Sequence, residues 1–114
     1  MLVRDVMLPL ERCPAIDERE ILKEALERMG HSRLGMVCIV NKENTLLGIL
    51  TDGDIRRSLL KVQKPFSAFF VDDALVHAIK SPVSIQAKDT LVDAVALMEE
   101  RQVWDLPVVN AENK

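Results

Sequence analysis

Two five-residue stretches, Val40-Asn41-Lys42-Glu43-Asn44 and Val109-Asn110-Ala111-Glu112-Asn113, share four residues in the same order, 69 positions apart. Worked outward without a gap, the same offset places Ile16 on Ile85, Leu22 on Leu91, Ala25 on Ala94 and Met29 on Met98. Self-similarity at a fixed offset marks a structural repeat, and here the matches fall on apolar and turn positions, the ones a repeat retains. Upstream, Val3-Arg4-Asp5-Val6-Met7 resembles Val76-His77-Ala78-Ile79-Lys80 as a short lead-in bracketed by apolar residues.

Each copy reads alike. A proline opens an extended piece, Pro14-Ala15-Ile16 or Pro82-Val83-Ser84-Ile85. An amphipathic helix follows. Ile21, Leu22, Ala25, Leu26 and Met29 form its apolar stripe in the first copy, and Leu91, Ala94, Val95 and Met98 in the second. Asp89-Thr90 offers the second helix an N-terminal cap. A buried strand comes next, Met36 to Val40 or Leu106 to Val109, and then the polar turn. The first copy returns through Leu46-Leu47-Gly48-Ile49-Leu50 and enters a short helix, Ile55 to Leu60. The second reaches Lys114 within its hairpin turn, so it is expected to lack a last strand and helix and to leave a sheet edge open. The expected division is a first motif over 1–61, a connector over 62–75 and a second motif over 76–114. The connector holds Phe66, Phe69 and Phe70, all the phenylalanine of the chain, and is expected to pack.

The 114 residues suffice for a hydrophobic core without staples, and 48% hydrophobic with 29% charged residues is an ordinary globular balance. A net charge of −3 and a single tryptophan without tyrosine give no basic face or stacking channel for nucleic acid. No apolar run is long enough to span a membrane, and the first residues do not read as a secretory signal. Cys13 and Cys38 have no paired spacing, and His31 and His77 add no metal-ligand pattern, so no metal or redox role is expected. Free thiols without a signal favour the cytoplasm.

The sharpest local signal is Gly48-Ile49-Leu50-Thr51-Asp52-Gly53-Asp54-Ile55-Arg56-Arg57, where a strand ends and a helix begins. Helix N-termini present free N–H donors and the positive end of the dipole, which suits a phosphate. Thr51 can donate to a phosphate oxygen, Asp54 can accept from two ribose hydroxyls, and Arg56 or Arg57 can add positive charge. The plainer alternative is that Thr51, Asp52 and Asp54 only cap the helix. A calcium loop is excluded, since its further oxygen ligands and later glutamate are missing.

Proline lead-in, helix, strand, turn, Gly-x-x-Thr-x-x-Asp and closing helix, in tandem, resemble a pair of CBS domains, the regulatory modules first named for cystathionine β-synthase. The resemblance covers essentially the whole chain. It implies an α/β fold of two β-α-β-β-α units around a pseudo-twofold axis, here with the second unit truncated. It also implies a cleft that takes AMP, ATP or a related nucleotide, with no catalytic residues and no cofactor. On that resemblance Thr51 serves phosphate and Asp54 serves ribose. The backbone at Met36-Val37 and Leu106-Pro107-Val108 serves the base, Ala15-Ile16 and Val83-Ser84 close the pocket, and Arg57 adds charge. The string Thr-Asp-Gly-Asp-Ile-Arg-Arg, with Leu34-Gly35-Met36, is similar to CBS pairs attached to arabinose-5-phosphate isomerases and sugar nucleotidyltransferases. A CMP-sugar therefore joins the expected ligands, and a sugar-metabolism enzyme the expected partner, with CBS–CBS packing into a homodimer. A structural dimerisation module without ligand is the alternative.

Trp104, at the position matching Gly35, is expected in a core or boundary role, and His31 and His77 at the surface. Arg4 and Lys80, near the lead-ins, could reach a phosphate but read first as solvated side chains. Cys13 has no histidine placed to activate it and does not read as a nucleophile.

Overall fold

The computed structural model describes residues 1–9, 12–32, 34–61, 68, 70–80, 82–101, 103 and 105–114. Phe66, Phe69 and Trp104, singled out above, lie outside the described residues. After a 3-10 turn (Val3–Asp5) the elements are β1 (Ala15–Asp17), α1 (Leu22–Ser32), β2 (Met36–Val40), β3 (Leu46–Thr51) and α2 (Asp52–Lys61). They continue with α3 (Ala74–His77), β4 (Ile79–Lys80), β5 (Ile85–Gln86), α4 (Leu91–Arg101) and β6 (Val108–Val109).

One sheet runs β1-β2-β3-β4 and a second pairs β5 with β6. β1 is parallel to β2, with Ile16 opposite Ile39, and β5 is parallel to β6, with Ile85 opposite Val108. Both pairs keep the 69-residue offset. So do the turns: Asn41 Oδ1 accepts from the N–H groups of Glu43 and Thr45, and Asn110 Oδ1 from those of Glu112 and Lys114. Asn44 and Asn113 both lie in the left-handed region, at φ 64° and 65°. Asparagine tolerates that conformation better than most residues, which explains why the repeat keeps it at this turn. The second ladder is shorter for a local reason. Cys38 donates its N–H to Pro14 C=O at 2.9 Å, but the matching Pro107 has no N–H to give.

The lead-ins cross between units. Val3 N–H donates to Asp89 C=O and Leu91 N–H to Met1 C=O, so the first lead-in holds the start of α4. Ala74 N–H donates to Glu20 C=O and Leu22 N–H to Asp72 C=O, so the second holds the start of α1. Val3 thus corresponds to Ala74, both buried, where the sequence comparison had aligned it with Val76. One buried apolar residue surrounded by polar ones gives little register information in the sequence. β4 then joins the first unit, antiparallel to β3, with Ile79 opposite Ile49 and Lys80 opposite Gly48. A Cβ at Gly48 would lie 3.1 Å from Ile79 C=O, so the close approach of β4 favours glycine there.

The two faces of the first sheet do different work. Val37, Ile39 and Leu50 point to the helices and pack on Leu22, Ala25, Met29 and Ala74. Met36, Cys38, Leu46 and Ile49 form the opposite face, joined by Val109 of the second unit. Leu46 and Ile49 share that face despite an odd spacing because the ladder steps two residues, Leu46 to Gly48, against Val40 to Ile39. A bulge of this kind inserts one extra residue and restores the alternation beyond it. Fully burying side chains such as Leu50, Ile39 and Val37 contributes about 1.5–3 kcal/mol apiece. In α4, Val95 departs from the expected stripe. It is exposed beside Val92 and Met1, while Leu91, Ala94 and Met98 face inward.

Candidate functional site

Between the cleft face of the first sheet and the second unit lies an open cavity of about 800 Å³. Its walls are mainly apolar, with Asn44, Lys88, Asn110 and Lys114 among the polar groups on its border. Apolar walls with a few polar groups at the border are the character of a small-molecule site. The cavity has two parts. One is the cleft, walled by Ala15, Met36 and Cys38 from the first unit and Leu106, Pro107 and Val108 from the second. The other extends over Leu91, Ala94 and Met98, whose counterparts Leu22, Ala25 and Met29 pack against Leu50 in the first unit.

Of the residues expected at a site, Ala15, Met36, Leu106, Pro107 and Val108 come together on the cleft wall. The side chains of Ile16 and Val37 turn the other way, into the core beneath the helices. Only their backbone is on the strands that form the wall. Val83 and Ser84 are half-buried just before β5 and are not among the cavity-lining residues.

Thr51, Asp54 and Arg57 form a separate cluster where β3 becomes α2. Thr51 is opposite Met36 in the ladder, and so lies on the cleft side of the sheet at its end. Its Oγ1 accepts from Asp54 N–H at 3.2 Å, while Asp54 Oδ2 accepts from Thr51 N–H at 3.0 Å and from Thr51 Oγ1–H at 2.9 Å. This is a reciprocal capping box, which satisfies donors that a helix start leaves open. Asp54 is only 6% exposed, and Arg57 donates to its other oxygen at 2.7 Å. Arg57 lies over Gly53, where a Cβ would come within 3.2 Å of the guanidinium. A glycine at the second helical position therefore gives the arginine room to fold back onto the carboxylate. Helix α2 begins at Asp52, three residues earlier than its apolar residues suggest, because the cap sets its start.

Two features were not visible in the sequence. His77, expected at the surface, has a side chain only 6% exposed, and its Nε2 is 2.9 Å from Asp72 Oδ2. The five-residue spacing matches no helix-face rule, since the pair spans the turn into α3. Cys13 and Cys38 also meet, both on the cavity wall, because β1 runs beside β2. Both belong to the apolar cluster of that face, close enough for the Cys38 thiol to act on Cys13 through a hydrogen bond. That bond, received from Cys38, lowers Cys13 from 9.0 to about 7 against the opposing effect of burial. The same bond and burial push the Cys38 thiol up. Among the described residues no group of three or more His, Cys, Asp or Glu is placed to hold a metal, and no helix is long and apolar enough to cross a membrane.

Comparison with known proteins identifies the family and the fold. The family model described as CBS domain matches residues 3–61. Arabinose 5-phosphate isomerase KpsF of Escherichia coli is 30% identical over 101 residues, which cover 89% of this chain and 30% of that enzyme. Homoserine O-acetyltransferase of Methanocorpusculum labreanum is 33% identical over 113 residues, 99% of this chain and 21% of that enzyme. The chain spans about a third of the length of several curated relatives, such as 32% of a Helicobacter pylori protein. Among solved structures, CBSX2 of Arabidopsis thaliana in complex with AMP superposes with a TM-score of 0.85 at 25% identity, over 99% of this chain and 84% of that one. With the family match over residues 3–61 and the strand pairing of that half repeated at the 69-residue offset, this chain belongs to the CBS domain family.

Proposed function

We propose that the chain is a regulatory module that senses an adenosine nucleotide or a nucleotide-sugar in the cleft between its two units. The observation that carries this reading is the position of the Thr51–Asp54 cap. It places a hydroxyl, a buried carboxylate and the N-terminus of α2 at the end of the strand whose partner residue, Met36, lines the cleft. A base enters between apolar walls from both units, near Ala15, Met36 and Pro107. Asp54 accepts from ribose hydroxyls, and Thr51 turns its O–H from Asp54 Oδ2 to donate to phosphate. A carboxylate has about four lone-pair positions, and three donors already occupy Asp54. The turn of the Thr51 hydroxyl frees one of these positions, and Arg57, whose side chain is 55% exposed, frees another for ribose by turning toward the phosphate. Binding replaces the charged partner of Asp54 with neutral hydroxyls and gives Arg57 the phosphate, and this exchange links ligand to the orientation of α2. The AMP held by CBSX2, at 25% identity, supports the ligand class.

The module has no catalytic role in this reading and acts on an attached or partner enzyme of sugar metabolism. Support comes from arabinose 5-phosphate isomerases, which include the KdsD enzyme of Pseudomonas aeruginosa, 30% identical over 98% of this chain. A dimer formed by packing of two modules completes the proposal. Assembly alone, with no ligand, is the second reading, and the apolar strip Met1, Val92 and Val95 on the outside of α4 favours it.

Calorimetric titration with AMP, ATP, CMP and a CMP-sugar tests the proposal, using the wild type and Ala15→Phe. Phenylalanine at this wall position fills the cleft without touching the cap of α2. Saturable binding lost in Ala15→Phe is the expected result. Binding by neither protein leaves assembly as the function, and equal binding by both would move the site elsewhere.

A further inference from the structure

Cys13 and Cys38 are 25 residues apart, with no motif linking them. The fold brings them together through the parallel pairing of β1 with β2. Ala15 stands opposite Cys38, and Pro14 C=O accepts Cys38 N–H at 2.9 Å, which leaves Cys13 one residue from that bond. Both cysteines are free, Cys38 buried and Cys13 half-buried, and both line the cavity. Two thiols in one packed cluster on the same face of the sheet, both lining an open cavity, are placed to react with each other.

We propose that Cys13 and Cys38 are a reactive dithiol, a modification site on the cleft wall that a hydroperoxide converts to an intrachain disulfide. The two thiols have distinct roles. Cys13 is the accessible one, and the hydrogen bond it receives from Cys38 favours its thiolate near neutral pH, the form that attacks peroxides. Its sulfur attacks the peroxide O–O bond. The sulfur takes one oxygen as sulfenic acid, and the other oxygen leaves, with a proton, as an alcohol or water. Cys38, held against it, then displaces the sulfenic oxygen as water and closes the S–S bond. In balance, two thiols and one hydroperoxide give one disulfide, one alcohol or water, and one water. The two electrons that cleave the O–O bond come from the two sulfurs. Because both sulfurs face the cavity, the product ties the lead-in before β1 to β2 and changes the cleft wall. This inference is independent of which nucleotide, if any, enters the cleft.

Mass spectrometry of the full chain after treatment with hydrogen peroxide, with free thiols then blocked under denaturing conditions, tests it directly. Expected are a loss of two hydrogen masses, no uptake of blocking reagent, a monomeric band without reductant, and reversal by dithiothreitol. Cys38→Ser should stop at a Cys13 sulfenic acid, trapped by dimedone. Cys13→Ser, with its fold checked by circular dichroism, should slow peroxide consumption about tenfold or more. An unchanged wild-type mass, disulfides only between chains, or an undiminished rate in Cys13→Ser would each overturn the proposal.

Discussion

Asp54 and Thr51 hold each other at the start of α2: the carboxylate accepts the backbone N–H and the hydroxyl of Thr51, and the hydroxyl accepts the N–H of Asp54. The residues with the strongest case for ligand contact therefore also support the fold. Asp54→Ala is expected to lower stability by about 1–3 kcal/mol without ligand, since it removes the cap and leaves a buried N–H with no acceptor. Chemical denaturation of the unliganded chain checks this. An unchanged midpoint would mean that the cap contributes nothing and that Asp54 serves only a ligand.

Asn113 ties the units together. Its backbone C=O accepts Leu46 N–H at 2.8 Å, and its Nδ2 donates to Leu46 C=O at 3.0 Å. Its positive φ adds a second demand on this residue. Asn113→Gly keeps the conformation and loses the side-chain bond, which is expected to cost about 1 kcal/mol. Asn113→Ala loses both and should cost about 1 kcal/mol more. Equal losses in the two variants would show that the left-handed conformation carries no strain.

The Cys13 thiol gives a pH signature. Alkylation follows the thiolate, so its rate should rise with pH to half its plateau near pH 7, where Cys13 is held, rather than near its ordinary 9.0. Cys38→Ala removes the donor responsible and should move the midpoint upward, toward the ordinary value. Timed iodoacetamide labelling of Cys13 across this pH range reads both. A wild-type midpoint near the ordinary value would remove the hydrogen bond between the thiols from the account.

Much of the architecture was legible because it is periodic. Leu22, Ala25 and Met29 repeat at helical spacing and are buried as expected, and the two asparagine turns repeat atom for atom. Thr51 and Asp54 stand out by type and spacing for capping and for ligand binding alike; the structure shows the cap and adds the bond from Arg57 to the same carboxylate. What the sequence concealed is non-local or one-off. The crossing of the lead-ins depends on single backbone bonds such as Val3 to Asp89. Cys13 and Cys38 become neighbours only through strand pairing. Val95 follows the helical period yet faces outward, because periodicity defines a stripe and not which edge of it finds a partner.

Entry of a nucleotide into the cleft and its engagement of Asp54 are read out by thermal melting with AMP, ATP and a CMP-sugar, on the wild type and on Asp54→Ala. A ligand at about a hundred times its dissociation constant adds roughly 2.7 kcal/mol, a shift of several degrees for a chain of this size. Such a shift is expected for at least one nucleotide in the wild type and none in Asp54→Ala, over a lowered starting temperature for the variant. No shift with any nucleotide, or the same shift in both proteins, would contradict it.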